Sequence, residues 1–191
     1  MANLPEQFPI PTPDAIASFD YTDIAEGTGL VILYGTDFRI DGSTISYGLI
    51  KNPQRSTTLY TDVSSGTPSY NFDLSAFNLP KVVKGTAYFS ACVYGTPESN
   101  GYIRVQLKKY DGTTETNVST QVSEVFGNTS TNRRVFFKLP CTETHFKKGE
   151  ILRLTISGDG TGGRFYHDPI NSSGADPTQT LRIDVPFKII D

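Results

Sequence analysis

Residues 181–189, "LRIDVPFKI", set Leu181, Ile183, Val185, Phe187 and Ile189 against Arg182, Asp184, Pro186 and Lys188. Successive side chains of a β-strand point to opposite faces, so a period of two describes a strand with one buried face and one wet face. A helix needs apolar residues about every 3.6 positions, and this stretch has none of that spacing. Pro186 lacks the N–H that a ladder requires, so this strand is expected at a sheet edge or with that position turned away from a partner.

The same alternation recurs upstream. In "EILRLTIS" (150–157) Leu152, Leu154 and Ile156 face in while Arg153 and Thr155 face out. In "RRVFFKL" (133–139) the inward set is Val135, Phe137 and Leu139, and in "YIRVQLKK" (102–109) it is Ile103, Val105 and Leu107. "TAYFSACVYG" (86–95) places Ala87, Phe89, Ala91 and Val93 on one face and Tyr88, Ser90, Cys92 and Tyr94 on the other. "LVILYGT" (30–36) is nearly continuous in apolar residues and suits a central strand, and "TISYGLI" and "TTLYTD" are shorter candidates. Clusters such as "RIDGST", "KKYDGTT" and "NSSGADPT" separate these runs with residues that tolerate positive φ or preset a turn. The expected fold is all-β: an antiparallel two-sheet β-sandwich of about eight to ten strands, with jelly-roll connections.

No internal repeat divides the chain, so residues 19–191 are expected to form one domain of ordinary size. Residues 1–18 read as an extended arm, because Pro5, Pro9, Pro11 and Pro13 favour polyproline-type backbone. A short helical turn within 14–28 fits Asp14 as a cap and Gly27 as a stop. With 17 basic and 20 acidic residues and a net charge of −3, the chain has no basic stripe to neutralise phosphates, so nucleic acid is not an expected partner. No stretch offers the roughly 20 apolar residues that a membrane-spanning helix needs. The opening residues lack the basic and apolar regions of a secretory signal. Two cysteines, Cys92 and Cys141, are too few for a disulfide framework and read as free thiols.

The stretch richest in chemistry-bearing residues is "GDGTGGRFYHDP" (158–169), in which Gly158, Gly160 and Gly163 fit a G-x-G-x-x-G spacing. A dinucleotide site needs a helix after the glycines to receive the pyrophosphate, whereas "RFYHDP" is strand-like and runs into turn material. A glycine-rich hairpin loop is the expected structure, and no cofactor is expected. Asp159, Asp168 and Asp176 supply oxygen donors for calcium, but without EF-hand or nonapeptide spacing. "CTETH" brings Cys141 and His145 within four residues, two metal ligands at most, and reads as a polar loop between strands. His167 beside Asp168 offers a base and an orienting acid, but no G-x-S-x-G elbow supplies a serine. A hydrolase reading therefore rests on His167, or on a pair of carboxylates that nothing in the sequence selects because their spacing exists only in three dimensions, and no catalytic or metal residue is assigned.

The aromatics carry more information: 12 Phe and 10 Tyr with no Trp. Tyr88, Tyr94 and Phe136 fall on faces that the alternation marks as outward, where they would stack on sugars, fill a subunit interface, or lie covered by the second sheet or a long loop.

The segments "SFDYTDIAEGTGLVILYG" and "KKGEILRLTISGDGTGGRFYHDP" resemble small jelly-roll proteins found among the structural genes of tailed bacteriophages, over residues 19–191. The resemblance implies a non-enzymatic virion protein, a head decoration or cement protein that sits on the capsid exterior and stabilises subunit contacts. It implies major capsid or other virion proteins as partners, homo-oligomerisation, and location in the virion after synthesis in the host cytoplasm. Phe8, Pro9, Ile10 and Pro11 are the expected assembly contact, since a proline-rich arm loses less entropy on docking than a flexible tail does. The alternative is a carbohydrate-binding β-sandwich on a fibre or adsorption structure, with Tyr88 and Tyr94 as glycan contacts.

Overall fold

A computed structural model describes residues 28–40, 43–51, 59–63, 69–94, 102–125, 132–159, 163–167 and 180–188. All the regular structure among them is β. In chain order the strands are β1 (Thr28–Ile40), β2 (Ser43–Ile50), β3 (Leu59–Val63), β4 (Tyr70–Leu74), β5 (Lys81–Tyr94) and β6 (Tyr102–Tyr110). They continue as β7 (Glu115–Asn117), β8 (Val122–Val125), β9 (Asn132–Phe146), β10 (Ile151–Asp159), β11 (Gly163–His167) and β12 (Arg182–Lys188). The expected arm, its contact residues Phe8, Pro9, Ile10 and Pro11, and the helical turn near Asp14 lie outside the described residues.

Hydrogen bonding links the strands in the order β3-β11-β5-β12-β1-β2-β4-β10-β6-β7, with β9 on β5 and β8 on β6. The sheet is mixed, not purely antiparallel, because β2 and β4 run parallel and pair Tyr47 with Phe72 and Leu49 with Leu74. β1 carries the path across the molecule: its first half pairs with β12 and its second half with β2. Ring contacts then join strands distant in that order. Phe72 on β4 meets Phe165 on β11 at 6.1 Å, and Phe77 meets Phe146 at 5.1 Å and Phe187 at 5.9 Å. The path therefore folds over on itself and its inner faces share one core, from which the apolar side chains exclude water.

The inward residues read from the period of two fill that core. Ala87, Ala91, Ile103, Val105, Leu107, Leu139, Leu152, Leu154, Ile156, Leu181, Ile183 and Val185 are fully buried, and Phe89, Val93, Val135 and Phe137 nearly so. Three local expectations are corrected. First, of the two placements expected for the Pro186 strand the sheet edge is the one not taken: β12 is paired on both sides, and Pro186 falls where the β12–β5 register breaks between Asp184 and Phe187, with no register partner on β5, in keeping with the other placement. Gly85, at φ +113°, lies opposite this break. Second, Cys141 to His145 form no loop: β9 continues through them to Phe146, held by pairing of Gly85 with Cys141 and Val82 with His145. Third, β10 and β11 are not a hairpin. β10 pairs with β4 and β6 while β11 pairs with β3 and β5, so the glycine-rich segment crosses between distant parts of the path. The "KKYDGTT" turn does form a hairpin, β6–β7, in which Asp111 Oδ1 accepts the N–H groups of Thr113 and Thr114 at 2.8 and 2.7 Å.

Candidate functional site

Two places combine polar chemistry with a defined position in the fold. The first is inside the core, at the β3–β11 end of the path. Thr61 pairs with Phe165 across the β3–β11 ladder, which sends both side chains and that of His167, two residues on, to the same inner face. Thr61 Oγ1 and His167 Nε2 share a hydrogen bond of 2.8 Å, and the Tyr47 hydroxyl lies 3.4 Å from Thr61 Oγ1. Tyr47, Phe72 and Phe165 surround the imidazole with ring centroids 5.7, 6.0 and 5.9 Å away. A hydroxyl and an imidazole at hydrogen-bond distance are the first two members of a nucleophile–base pair. Here, however, His167 is 0% exposed and Thr61 7%, so a substrate carbonyl has no approach to either. Asp37, another buried polar residue, enters from β1 opposite Tyr47.

The second place is on the outer face of β9, β5 and β12. Register sets the side chains in two rows: Phe136, Ser90 and Arg182 in one, and Lys138, Tyr88 and Asp184 in the next. A small serine between two large neighbours leaves a depression, and a cavity of about 340 Å³ lies over it, lined by Tyr88, Ser90, Arg134, Phe136, Arg182 and Asp184. Arg182 donates from Nε and Nη2 to the two carboxylate oxygens of Asp184, both at 2.7 Å. That fork holds the Arg182 guanidinium more firmly protonated than usual. Arg134 donates from Nη2 to Ser90 Oγ at 3.1 Å, and its guanidinium carbon stands 5.6 Å from the centre of the Phe136 ring.

The residues singled out in the sequence are scattered over the fold. Tyr88 and Phe136 reach the outer face as the alternation requires, 44% and 70% exposed. Tyr94 is half-buried farther along β5, beside Arg164 and Asn132 in register, and does not line the cavity. His167 turns inward, and its sequence neighbour Asp168 lies outside the described residues, as does Asp176. Cys141 and His145 stand apart along β9: the thiol is half-buried and donates to the Leu139 carbonyl, and burial pushes its pKa up, while His145 is exposed beside Glu143. The cysteines are free. Sequence reading did not find Thr61 as the partner of His167, because the two are joined only by the β3–β11 ladder. Nor did it find Arg134, Arg182 and Asp184 as a group. The one available signal was the charged outward set on strands that also carry outward aromatics.

No protein-family model matches the sequence, and no curated protein matches it. Solved structures do share its fold. A CocE/NonD family hydrolase from Staphylococcus aureus matches with a TM-score of 0.62 and 12% identity over 85% of this chain. An aminopeptidase from a marine sediment Thaumarchaeota archaeon matches at 0.58 with 8% identity over 84%. An α-amino acid ester hydrolase matches at 0.51 with 14% identity over 83%. The chain spans 37%, 37% and 35% of the lengths of these proteins.

These neighbours overturn the expectation of a bacteriophage head decoration protein. The proteins that share the fold are hydrolases, so the reading of the chain as non-enzymatic and as a viral capsid component is corrected too. The physical reason is plain. Alternating strands and polar turns record a two-faced sheet, and virion proteins and parts of enzymes build such sheets from the same pattern.

Proposed function

We propose that this chain is the β-domain of a hydrolase that cleaves ester or peptide bonds, with the bond-breaking residues supplied by a catalytic unit it accompanies. The observation that carries the reading is the fold shared over more than four-fifths of this chain with three hydrolases, in each of which it corresponds to little more than a third of the length. In finer detail we take the folded-over path as a two-layer, jelly-roll β-sandwich, with residues 1–18 an extended arm. Acyl transfer to water needs an activated nucleophile that the scissile carbonyl can reach. Thr61 and His167 have the spacing without the access, so their pair serves the core and not the reaction.

Immunodepletion tests the proposal. Removing the native polypeptide or complex with an antibody against this domain should remove hydrolysis of p-nitrophenyl esters or aminoacyl p-nitroanilides from extracts of the cells that make it. Depletion that leaves all such activity behind refutes it. Turnover by the isolated domain that disappears in His167→Gln would instead move the chemistry to the Thr61–His167 pair.

A further inference from the structure

We infer that the outer face of β9, β5 and β12 is a docking surface for the proline-rich segment of this chain, residues 4–13 ("LPEQFPIPTP"), bound in polyproline form. The segment itself lies outside the described residues, and the surface that receives it lies within them. Of the aromatic side chains described, Phe38, Tyr88 and Phe136 are exposed, and two of the three flank the depression over Ser90 from adjacent strands. The outer face of β10, β4 and β6 carries ion pairs instead, such as Arg153 with Asp73 and Lys108 with Glu115. β1 extends the apolar ground: Leu30, Ile32 and Tyr34 stand opposite Pro186, Asp184 and Arg182 and are half-buried. Arg182 is matched by Asp184, so it can be covered without leaving its charge unmatched. Exposed aromatic rings beside a shallow depression suit a polyproline helix, whose stiff backbone is already extended and loses little entropy on docking. Such a helix has three residues per turn, so Pro5, Phe8 and Pro11 fall on one edge of it and Ile10 and Pro13 on the next. Glu6 is the one charged residue in the segment, so apolar contact and not charge holds it. The connection permits this. Residues 14–27 lead into β1, which begins at Thr28 opposite Lys188 of β12. Those 14 residues can span up to about 45 Å. β1 stands three strand spacings, about 15 Å, from β9. The inference does not depend on the hydrolase reading.

Amide chemical shifts of the full chain test it. In the wild type the amides of Gln7, Phe8 and Ile10 should differ from those of a synthetic peptide of residues 1–18, and Phe136→Ala should return them to the peptide values. Phe136 is exposed, so this variant leaves the core untouched. The reciprocal change, Phe8→Ala with Pro11→Ala, lies outside the described strands. It should shift amides of β5, β9 and β12 while those of β6 and β10 stay in place. Added to that variant, a peptide of residues 4–13 should bind saturably, and at least tenfold more tightly than when Phe136→Ala is present as well. Light scattering separates the two sources of the segment: a monomeric wild type places it on its own domain, and a dimer that dissociates in Phe136→Ala places it on a second copy. Wild-type amides of Gln7, Phe8 and Ile10 that already match the free peptide leave the face to another partner and overturn the inference. So do shifts that fall elsewhere, or a peptide that binds equally with and without Phe136→Ala.

Discussion

Replacing Arg153 by Met should destabilise the fold by about 2–3 kcal/mol at pH 7, and the loss should shrink in acid. Arg153, on the outer face of β10, donates from Nε and Nη2 to both oxygens of Asp73 on β4 at 2.7 Å, and from Nη1 to Glu115 on β7 at 2.6 Å. Its guanidinium also lies 4.0 Å above the Tyr110 ring, and Lys108 gives Glu115 a second partner at 2.6 Å. Each charge-assisted hydrogen bond is worth roughly 1.5–3 kcal/mol when well shielded. The Arg153 side chain is 13% exposed but both carboxylates are 32% exposed, so water replaces part of what is lost. Three such bonds, discounted in that way and with Lys108 retained by Glu115, leave the figure of about 2–3 kcal/mol. For a domain of this size that is a fall in Tm of roughly 5–10 °C.

The pH dependence has a definite sign. Hydrogen bonds from Lys108 and then Arg153 hold the Glu115 carboxyl below the ordinary carboxylate range. Its contribution is therefore complete above the unfolded-state pKa of about 4.3 and disappears as pH falls through the lower folded-state value. Urea unfolding of wild type and Arg153→Met at pH 7 and pH 3 measures both effects. A difference below about 0.5 kcal/mol at pH 7 places the cluster among exposed ion pairs that contribute nothing, and refutes the reasoning. So does a difference that is the same at both pH values.

The other predictions concern the core and the backbone. Phe72→Ala removes a fully buried ring that packs on Tyr47, Phe165 and His167, and should cost about 3–5 kcal/mol in urea unfolding with the slope unchanged. Thr61→Val keeps the shape of the side chain but takes away the hydroxyl bonded to His167. Calorimetry should show a loss of about 1–3 kcal/mol, and equal stability would mean that the imidazole finds full compensation elsewhere. Gly85→Ala tests backbone conformation alone. A Cβ there would meet Pro186 at an ordinary 3.5 Å, so the expected cost of about 1–3 kcal/mol comes from φ +113°, and a neutral Tm would show that the β5 bulge relaxes.

Much of the fold was legible because the face a residue takes is a local property of a strand. Leu152, Leu154 and Ile156, or Ile183 and Val185, can be assigned to the core from their spacing alone, and the structure buries each of them. The same holds for the "KKYDGTT" turn, whose Asp and Gly act within a few residues of themselves. Which strands become neighbours is a different matter, since pairing joins residues far apart in the chain and the period of two is the same for any order. Pro186 illustrates the limit: one missing N–H left an edge strand and a position turned away from a partner equally open, and only the register break against β5 decided for the second and let β12 sit in the centre. His167 illustrates it for function: next to Asp168 it offered a base and an orienting acid, and only the ladder to β3 set it facing inward against Thr61. The grid of Phe136, Ser90, Arg182, Lys138, Tyr88 and Asp184 draws on three strands, β9, β5 and β12, separated by tens of residues. The sequence by itself determined which residues face outward on each strand. Only the tertiary structure decided which of them share a cavity, because hydrogen-bonded register between distant segments is a property of the folded chain.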